Sequence, residues 1–397
     1  MGRENGDKGM SRREFEKVLA AGTAAASLPW GKARAEAPEA MVHVAGVKKG
    51  SPEDELKNAV KETALSASDF SWLSKGDSVF IKPALNSGNP YPATSSPAGV
   101  AAMVELLKDK GAARVVVSDM AGIEHVKLTR DGLKKGSTRK LMEQAGLAEA
   151  ARSAGAELYF PEEDGWDAFF EDPLAQGSSW KGGVMMPSIL KDMDHVVLMP
   201  RTSRHVLAGS TLGMKAAVGY WRTDTRLEYH KDASTFQEKT AEANTASTLL
   251  EKQRLVLTVA THVQTTFGPD KGHVVNPETG LVIASDSIVA HDMASLAWLI
   301  MNRKETPESN KSLTKDPYVS QTAVSVTNRG AVMLLGGALD AARTHKLVRN
   351  DLEAVRDDRV LQRAFAIFGG KPAVQLIDVN KNVPAEIIKQ MKNTMSL

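Results

Sequence analysis

The segment His205-Val206-Leu207-Ala208-Gly209-Ser210-Thr211-Leu212-Gly213-Met214-Lys215 joins an imidazole to an amine through mostly small residues. Histidine suits proton transfer near neutral pH, because its unperturbed pKa lies there. Lysine serves as a nucleophile or covalent anchor only where a partly desolvated pocket lets it lose its proton. Ala208, Gly209, Ser210 and Gly213 would let a flat ligand come close to the backbone. His230 adds a second imidazole, a donor that nickel accepts, and His125 a third. Lys82 and Asp119 follow short apolar runs, and Pro200-Arg201-Thr202-Ser203-Arg204-His205 follows another. Lys82, Arg201, Arg204 and Lys215 would together form a pocket for a small anion.

Composition narrows the chemistry further. Among 397 residues there is no cysteine. Disulfides, thiolate nucleophiles and zinc–thiolate sites are therefore excluded, as is any iron–sulfur cluster held by cysteine. A metal would have to be held by His, Asp, Glu, Lys, backbone or a cofactor. Fifty basic and 48 acidic residues leave a formal charge of +2, so nothing points to nucleic acid or an anionic membrane. There is no Walker loop, no GxGxxG after a strand and no HExxH.

The elements that must position these groups read as alternating strands and helices. Val79-Phe80-Ile81 and Val115-Val116-Val117 are buried-strand runs, with a helix between them opened by Ser96-Pro97 and ended at Gly111. That is a βαβ unit, which favours a parallel sheet. Further strands are expected at 157–160, 195–199, 255–259, 281–284 and 374–377. Helices are expected after Ser51-Pro52, after Ser137, from Asp286 and over 331–342. Thr211 to Val218 reads as another helix, and 303–316 as a surface loop. The expected fold is α/β and two-lobed, a mainly parallel, Rossmann-like sheet with helices on both faces. Residues 41–250 form the lobe carrying the site, and 251–397 a second lobe with a helical C-terminal part. In such sheets ligands bind beyond the carboxyl ends of the strands. Lys82, Asp119, Arg201 and His205 are delivered to that edge.

The first 35 residues carry a different message. Ser11-Arg12-Arg13-Glu14-Phe15-Glu16-Lys17 resembles a twin-arginine export signal. A mild apolar stretch, Val18 to Trp30, and Ala33-Arg34-Ala35 follow in the order of a signal peptide. The resemblance implies recognition by the twin-arginine translocase and a periplasmic or otherwise exported mature chain starting near Glu36. No later run of 18 apolar residues occurs, so no membrane span is expected in the mature chain.

An ordered set of segments resembles the domain of unknown function 362 family. It comprises Phe80-Ile81-Lys82-Pro83-Ala84-Leu85-Asn86, Ser96-Pro97, Val115 to Asp119, Pro200 to His205 with Thr211 and Lys215, Arg226 and His230, Phe267-Gly268-Pro269 and Ser285 to Asp292. The likeness runs from about residue 45 to 385. Some members of that family carry a ferredoxin-like cluster segment, which the absence of cysteine excludes here.

A more distant resemblance is to lactate-racemase-type enzymes, which use a nickel-pincer nucleotide. It rests on the His205–Lys215 segment, on His230 fifteen residues after Lys215, and on Ala121-Gly122-Ile123-Glu124-His125 after a strand. It implies that Lys215 holds a pyridinium cofactor as a thioamide, that His205 and His125 exchange protons, and that His230 binds nickel. Met214 stands where that family has Arg before the Lys, and Ile81-Lys82-Pro83-Ala84-Leu85 replaces its Asp-Leu-Thr-Arg-Pro. Lys82 and Asp119 are expected on the cofactor side, Lys82 facing a phosphate. Two functions follow as expectations. One is an exported metal- or cofactor-dependent enzyme, of isomerase or oxidoreductase type, acting on a small anion such as a hydroxy acid. The other is a non-catalytic periplasmic protein that binds a small anion or a metal.

Overall fold

Alternate residues of the apolar runs face opposite sides of one sheet, as the two-residue period of a strand requires. The computed structural model describes residues 38–350 and 352–396. The expected twin-arginine signal lies outside the described residues. Eight strands make the main sheet: β1 (Glu39–Lys48), β2 (Ser78–Pro83), β3 (Arg114–Ser118), β4 (Glu157–Tyr159), β5 (His195–Met199), β6 (Gln253–Ala260), β7 (Thr279–Ser285) and β8 (Ala373–Asp378). Their order is β8-β1-β7-β6-β5-β2-β3-β4. β7 runs antiparallel to β1 and β6, and every other neighbouring pair is parallel.

Val79, Ile81, Val115, Val117, Leu255 and Leu257 turn to one face. There they meet Val60 and Ala64 of the helix Glu53–Ala67, and Val100, Met103 and Val104 of the helix Pro97–Asp109. Phe80, Val116 and Val196 turn to the other face and join Tyr220, Trp221, Tyr229 and Phe236. Val44, Val256 and Ile283 face the same way and meet Met293, Leu296 and Ala297 of the helix Ile288–Lys304. Burying a side chain of this size stabilises the fold by roughly 1.5–3 kcal/mol. Helices thus cover both faces. Strands from residues 41–250 and from 251–397 lie side by side in this one sheet, and Pro38–Leu397 forms a single compact unit.

Several boundaries differ from the sequence reading. β1 was not legible as a strand, although it is flanked on both sides in the sheet. Ser287, not Asp286, caps the helix Ile288–Lys304, its hydroxyl accepting from the Ala290 N–H. Pro52 rather than Ser51 occupies the cap position of the first helix, with no side-chain cap bond. The expected helix 331–342 is two helices, Gln321–Leu335 and Ala338–Arg343, interrupted at Gly336-Gly337. Gly337 has φ +109°, a conformation that stops a helix and that side chains disfavour. Asp316, placed on a surface loop by its polar surroundings, is buried and pairs with Arg303 at 2.9 Å.

A small second sheet sits at the carboxyl end of β5. Its strands include Ser203–His205 and Gly209–Thr211, paired antiparallel with His205 opposite Gly209. Gly209 has φ +91°, which the tight return after His205 requires. The hairpin leads directly into the short helix Gly213–Ala216, on which Lys215 stands.

A cation-lined cavity at the strand ends

β2, β3 and β5 are parallel neighbours, so the residues that follow them emerge at the same edge. Asp119 leaves β3, and Arg201 and His205 follow β5. Helix Thr223–His230 adds Arg226 and His230, and the helix Gly213–Ala216 adds Lys215. All six of these residues line one cavity, together with Thr211 and Pro269. Ala331 and Leu335, from the helix Gln321–Leu335, contribute apolar wall. The enclosed interior is about 100 Å³, and the empty space counted out to the open mouth is about 840 Å³. The enclosed part therefore suits a small molecule.

Lys215 is 8% exposed and has no hydrogen bond or ion pair among the described residues. Its ammonium lies 5.9 Å from the centre of the Tyr229 ring. Burial, and then the charges of Arg201, Arg226 and Lys82, push its pKa down to about 7, with Asp119 acting weakly the other way. Desolvation penalises the charged form, and neighbouring cations add to that penalty. Near neutral pH a large share of Lys215 is thus free amine.

The two imidazoles are complementary. His205 Nδ1 accepts from the backbone N–H of Leu207 at 3.1 Å and of Ala208 at 3.2 Å. A nitrogen that accepts carries no proton, so the neutral ring has its N–H on Nε2. His230 Nδ1 lies 2.7 Å from the Arg226 carbonyl, to which it must donate. Its Nε2 lone pair is then free. Burial, reinforced by the charge of Lys215, holds His205 well below its usual pKa and brings His230 down to about 3. Both rings are neutral at physiological pH. His205 is a donor, and His230 is an acceptor able to take a hydrogen bond or a metal.

Two guanidinium groups add positive charge. Arg201 donates 2.9 Å bonds to the carbonyls of Pro92 and Pro269. Arg226 donates to the carbonyls of Met120, Ala121 and Gly219. Burial draws the pKa of each down to about 10, which still leaves both charged at pH 7. Asp119 sits 3.1 Å from the Lys82 ammonium. Its Oδ1 also accepts from the Met120 N–H at 2.7 Å, and its Oδ2 from the Leu85 N–H at 2.6 Å. Burial acts most strongly on both partners, raising the Asp119 carboxyl and lowering the Lys82 ammonium, and their mutual attraction opposes each shift. With Asp119 matched by Lys82, the cavity keeps a positive excess.

The sequence-derived candidates therefore divide. His205, Lys215, His230 and Asp119 share the cavity. Lys82 stands behind Asp119 and does not line it. Its ammonium donates to the carbonyls of Pro83 at 2.6 Å and Ala216 at 3.0 Å, as well as pairing with Asp119. His125 does not line the cavity either, although Ile123 and Glu124 do. Its Nε2 lies 3.5 Å from Asp270, a carboxylate that also accepts from Asn86 and Ser87. Arg204 points elsewhere and stacks 3.7 Å from the centre of the Tyr318 ring. Among the described residues no group of three or more His, Asp or Glu is arranged to hold a metal ion. The loop 268–272, which reads as plain turn, is brought in by Arg201 at Pro269 and by Asn86 and Ser87 at Asp270. The role of Arg226 was not legible, because Arg226-Leu227-Glu228-Tyr229-His230 is a charged stretch. The available signal was spacing: Tyr229 and His230 lie three and four residues after Arg226, on one face of a helix, and all three are buried.

The chain thus combines an α/β fold with a cationic, lysine-bearing cavity at the carboxyl edge of a mostly parallel sheet. Residues 79–297, more than half of the chain, match the family described as Domain of unknown function (DUF362), and the chain belongs to that family. No curated protein matches it. Among solved structures, a Thermotoga maritima protein is similar at 12% identity and a TM-score of 0.41, over 65% of this chain and 60% of that one. The chain thus spans less than two thirds of that protein's length. The lactate racemase apoprotein from Thermoanaerobacterium thermosaccharolyticum is similar at 13% identity and a TM-score of 0.37, over 92% of this chain and 88% of that one. Among the described residues, no helix is long and apolar enough to cross a membrane.

Proposed function

We propose that this protein is an exported enzyme that acts on a small anion of the hydroxy-acid class, with Lys215 as its point of covalent attachment. The observation that carries this reading is Lys215 itself. A buried lysine without an acidic partner destabilises a fold unless something else makes use of it. Here the amine lies among Arg201, Arg226 and Lys82, which favour its neutral form and would attract an anion. His205 would donate its Nε2–H to an oxygen of the bound anion. His230 would accept a hydrogen bond or a metal at Nε2.

A nickel-pincer nucleotide fits these residues in one respect and is limited in another. Lys215 offers a free amine for covalent attachment, and His230 offers one imidazole to a metal. One imidazole does not hold a bare ion, so the metal would have to arrive with its other ligands supplied by the cofactor. The small enclosed volume would leave the nucleotide portion in the open mouth. When bound, that cofactor would supply nickel and a pyridinium ring. Lys215 would fix it, and Arg201 and His205 would orient the substrate. Lys82 and Asp119 would support the site from behind, and His125 would act only from the rim. The second reading, a non-catalytic binder of a small anion, is favoured by the positive excess and the small interior alone.

Intact mass and metal analysis of protein from its native host separates the two. The enzyme reading predicts a mass increment mapped to Lys215, about one nickel per chain, and a mature chain beginning near Glu36 after twin-arginine export. An unmodified chain without stoichiometric metal would leave the small-anion binder, and a retained N-terminal segment would remove the export reading.

A further inference from the structure

The helix that carries Lys215 is only Gly213–Ala216, a single turn. A helix this short has almost no stability of its own, because nucleation is unfavourable and few of its hydrogen bonds are internal. Its backbone is instead gripped by side chains from elsewhere. Asp292, on the helix Ile288–Lys304, accepts from the Gly213 N–H through Oδ1 and from the Met214 N–H through Oδ2, each at 2.8 Å. Asn244 donates to the Met214 carbonyl at 3.0 Å, and Lys82 to the Ala216 carbonyl at 3.0 Å. A carboxylate thus sits at the amino end of the turn and an ammonium at its carboxyl end, the arrangement that complements the peptide dipoles.

Asp292 is itself held. His291 Nδ1 lies 2.8 Å from Asp292 Oδ1, and His291 Nε2 lies 2.9 Å from the Thr258 hydroxyl on β6. All three side chains are buried, each 2% exposed or less. The contact requires glycine at 213. A Cβ there would stand 2.7 Å from Asp292 Oδ1, inside the contact distance.

We propose that Asp292, braced by His291 and Thr258, is a positioning residue that holds the Lys215 amine inside the cavity. The inference rests on the reading of Lys215 as the reactive amine. Nothing in it requires Asp292 to touch a ligand. Its effect is mechanical: with the turn fixed, the Lys215 side chain stays among Arg201, Arg226, Lys82, Asp119, His205 and His230. With the turn loosened, the chain gains freedom to carry its amine out to water, where it is protonated at neutral pH.

The test is competitive acylation of the folded, full chain with acetic anhydride over a range of pH, read by peptide mass spectrometry. Exposed Lys389 is the internal reference. In the wild type, Lys215 is expected to react half-maximally near pH 7, well below the ordinary lysine value of 10.5. Asp292→Asn removes one acceptor and turns an amide N–H toward a backbone N–H. It should move the Lys215 midpoint upward by at least one pH unit and lower its labelling at pH 7 relative to Lys389 by about fivefold or more. Gly213→Ala keeps the charge of Asp292 and forces it away, so it should act in the same direction and separates position from charge. His291→Ala should do likewise, whereas His291→Asn, whose amide keeps a donor near the Nδ1 position, should restore the wild-type profile. If Asp292→Asn does not fold, the Gly213 and His291 variants decide. Folded variants with an unchanged Lys215 midpoint would overturn the positioning role. A wild-type Lys215 that titrates near the ordinary lysine value of 10.5 would instead overturn the reading of the amine on which the inference rests.

Discussion

At the scale of the residue, the site works through protonation states set by neighbours rather than by residue type. His205 and His230 have the same side chain, yet their backbone contacts give them opposite roles. Two N–H groups on His205 Nδ1 make its Nε2 a donor, and one carbonyl on His230 Nδ1 makes its Nε2 an acceptor. A histidine held neutral so firmly is a poor base, so on the proposed reading His205 would serve a bound anion as a hydrogen-bond donor. His205→Ala should therefore weaken binding of a small hydroxy acid such as lactate by roughly 10–100-fold, the range for a hydrogen bond to a charged group. His205→Gln, whose amide nitrogen can stand near the Nε2 position, should retain most of the affinity. Isothermal titration at pH 7 checks both. Equal affinity in the wild type and the Ala variant would show that His205 does not face the ligand. The sequence alone showed that His205, Lys215 and His230 have the right chemical types. It did not show which nitrogen of each ring is free, because backbone partners decide that.

At the scale of the element, the candidate edge was legible because three apolar runs end in chemically active residues. β2, β3 and β5 lie where their buried runs place them, and the residues just beyond them meet. What the sequence hid was depth. Lys82 reads as a residue free to meet a phosphate, yet it is still within β2 and its three partners are a carboxylate and two carbonyls. The pair it forms with Asp119 ties β2 and β3 to each other and, through Ala216, to the turn that carries Lys215. Removing one partner of a buried pair leaves an uncompensated charge, which costs about 3–5 kcal/mol. Lys82→Met and Asp119→Asn should each destabilise the protein by an amount of that order. The double variant should be less destabilised than the sum of the two. Urea unfolding of the four proteins measures the coupling, and simple additivity would show that the pair does not act as a unit. Helix Gln321–Leu335 was hidden for a related reason. Its buried stripe, Val324, Asn328 and Val332, carries an asparagine at its middle, and Val326, Met333 and Leu334 are exposed.

At the scale of the whole molecule, the cavity makes the fold less stable than it need be. Lys215 binds its proton more weakly in the folded chain, near pH 7, than in the unfolded chain, near the ordinary lysine value of 10.5. Between those values the unfolded state holds more protons, so stability must rise with pH across that window. His230 has the same sign at lower pH: stability is lost as pH falls from the ordinary histidine value of 6.5 toward about 3. An anion in the cavity would offset the first effect by pairing with the protonated amine, and it would do so only while the amine is charged. The measurement that tests this account most directly is urea unfolding of wild type and Lys215→Met at pH 6 and pH 9, with and without millimolar lactate. Lactate is expected to stabilise the wild type more at pH 6, where the Lys215 amine is charged, than at pH 9, where Arg201 and Arg226 alone carry the charge. The ligand-free wild type should be more stable at pH 9, and Lys215→Met should lose most of that rise and the pH dependence of the lactate effect. Lactate that leaves the wild type unchanged at both pH values, or a Lys215→Met protein that behaves like the wild type, would contradict this account.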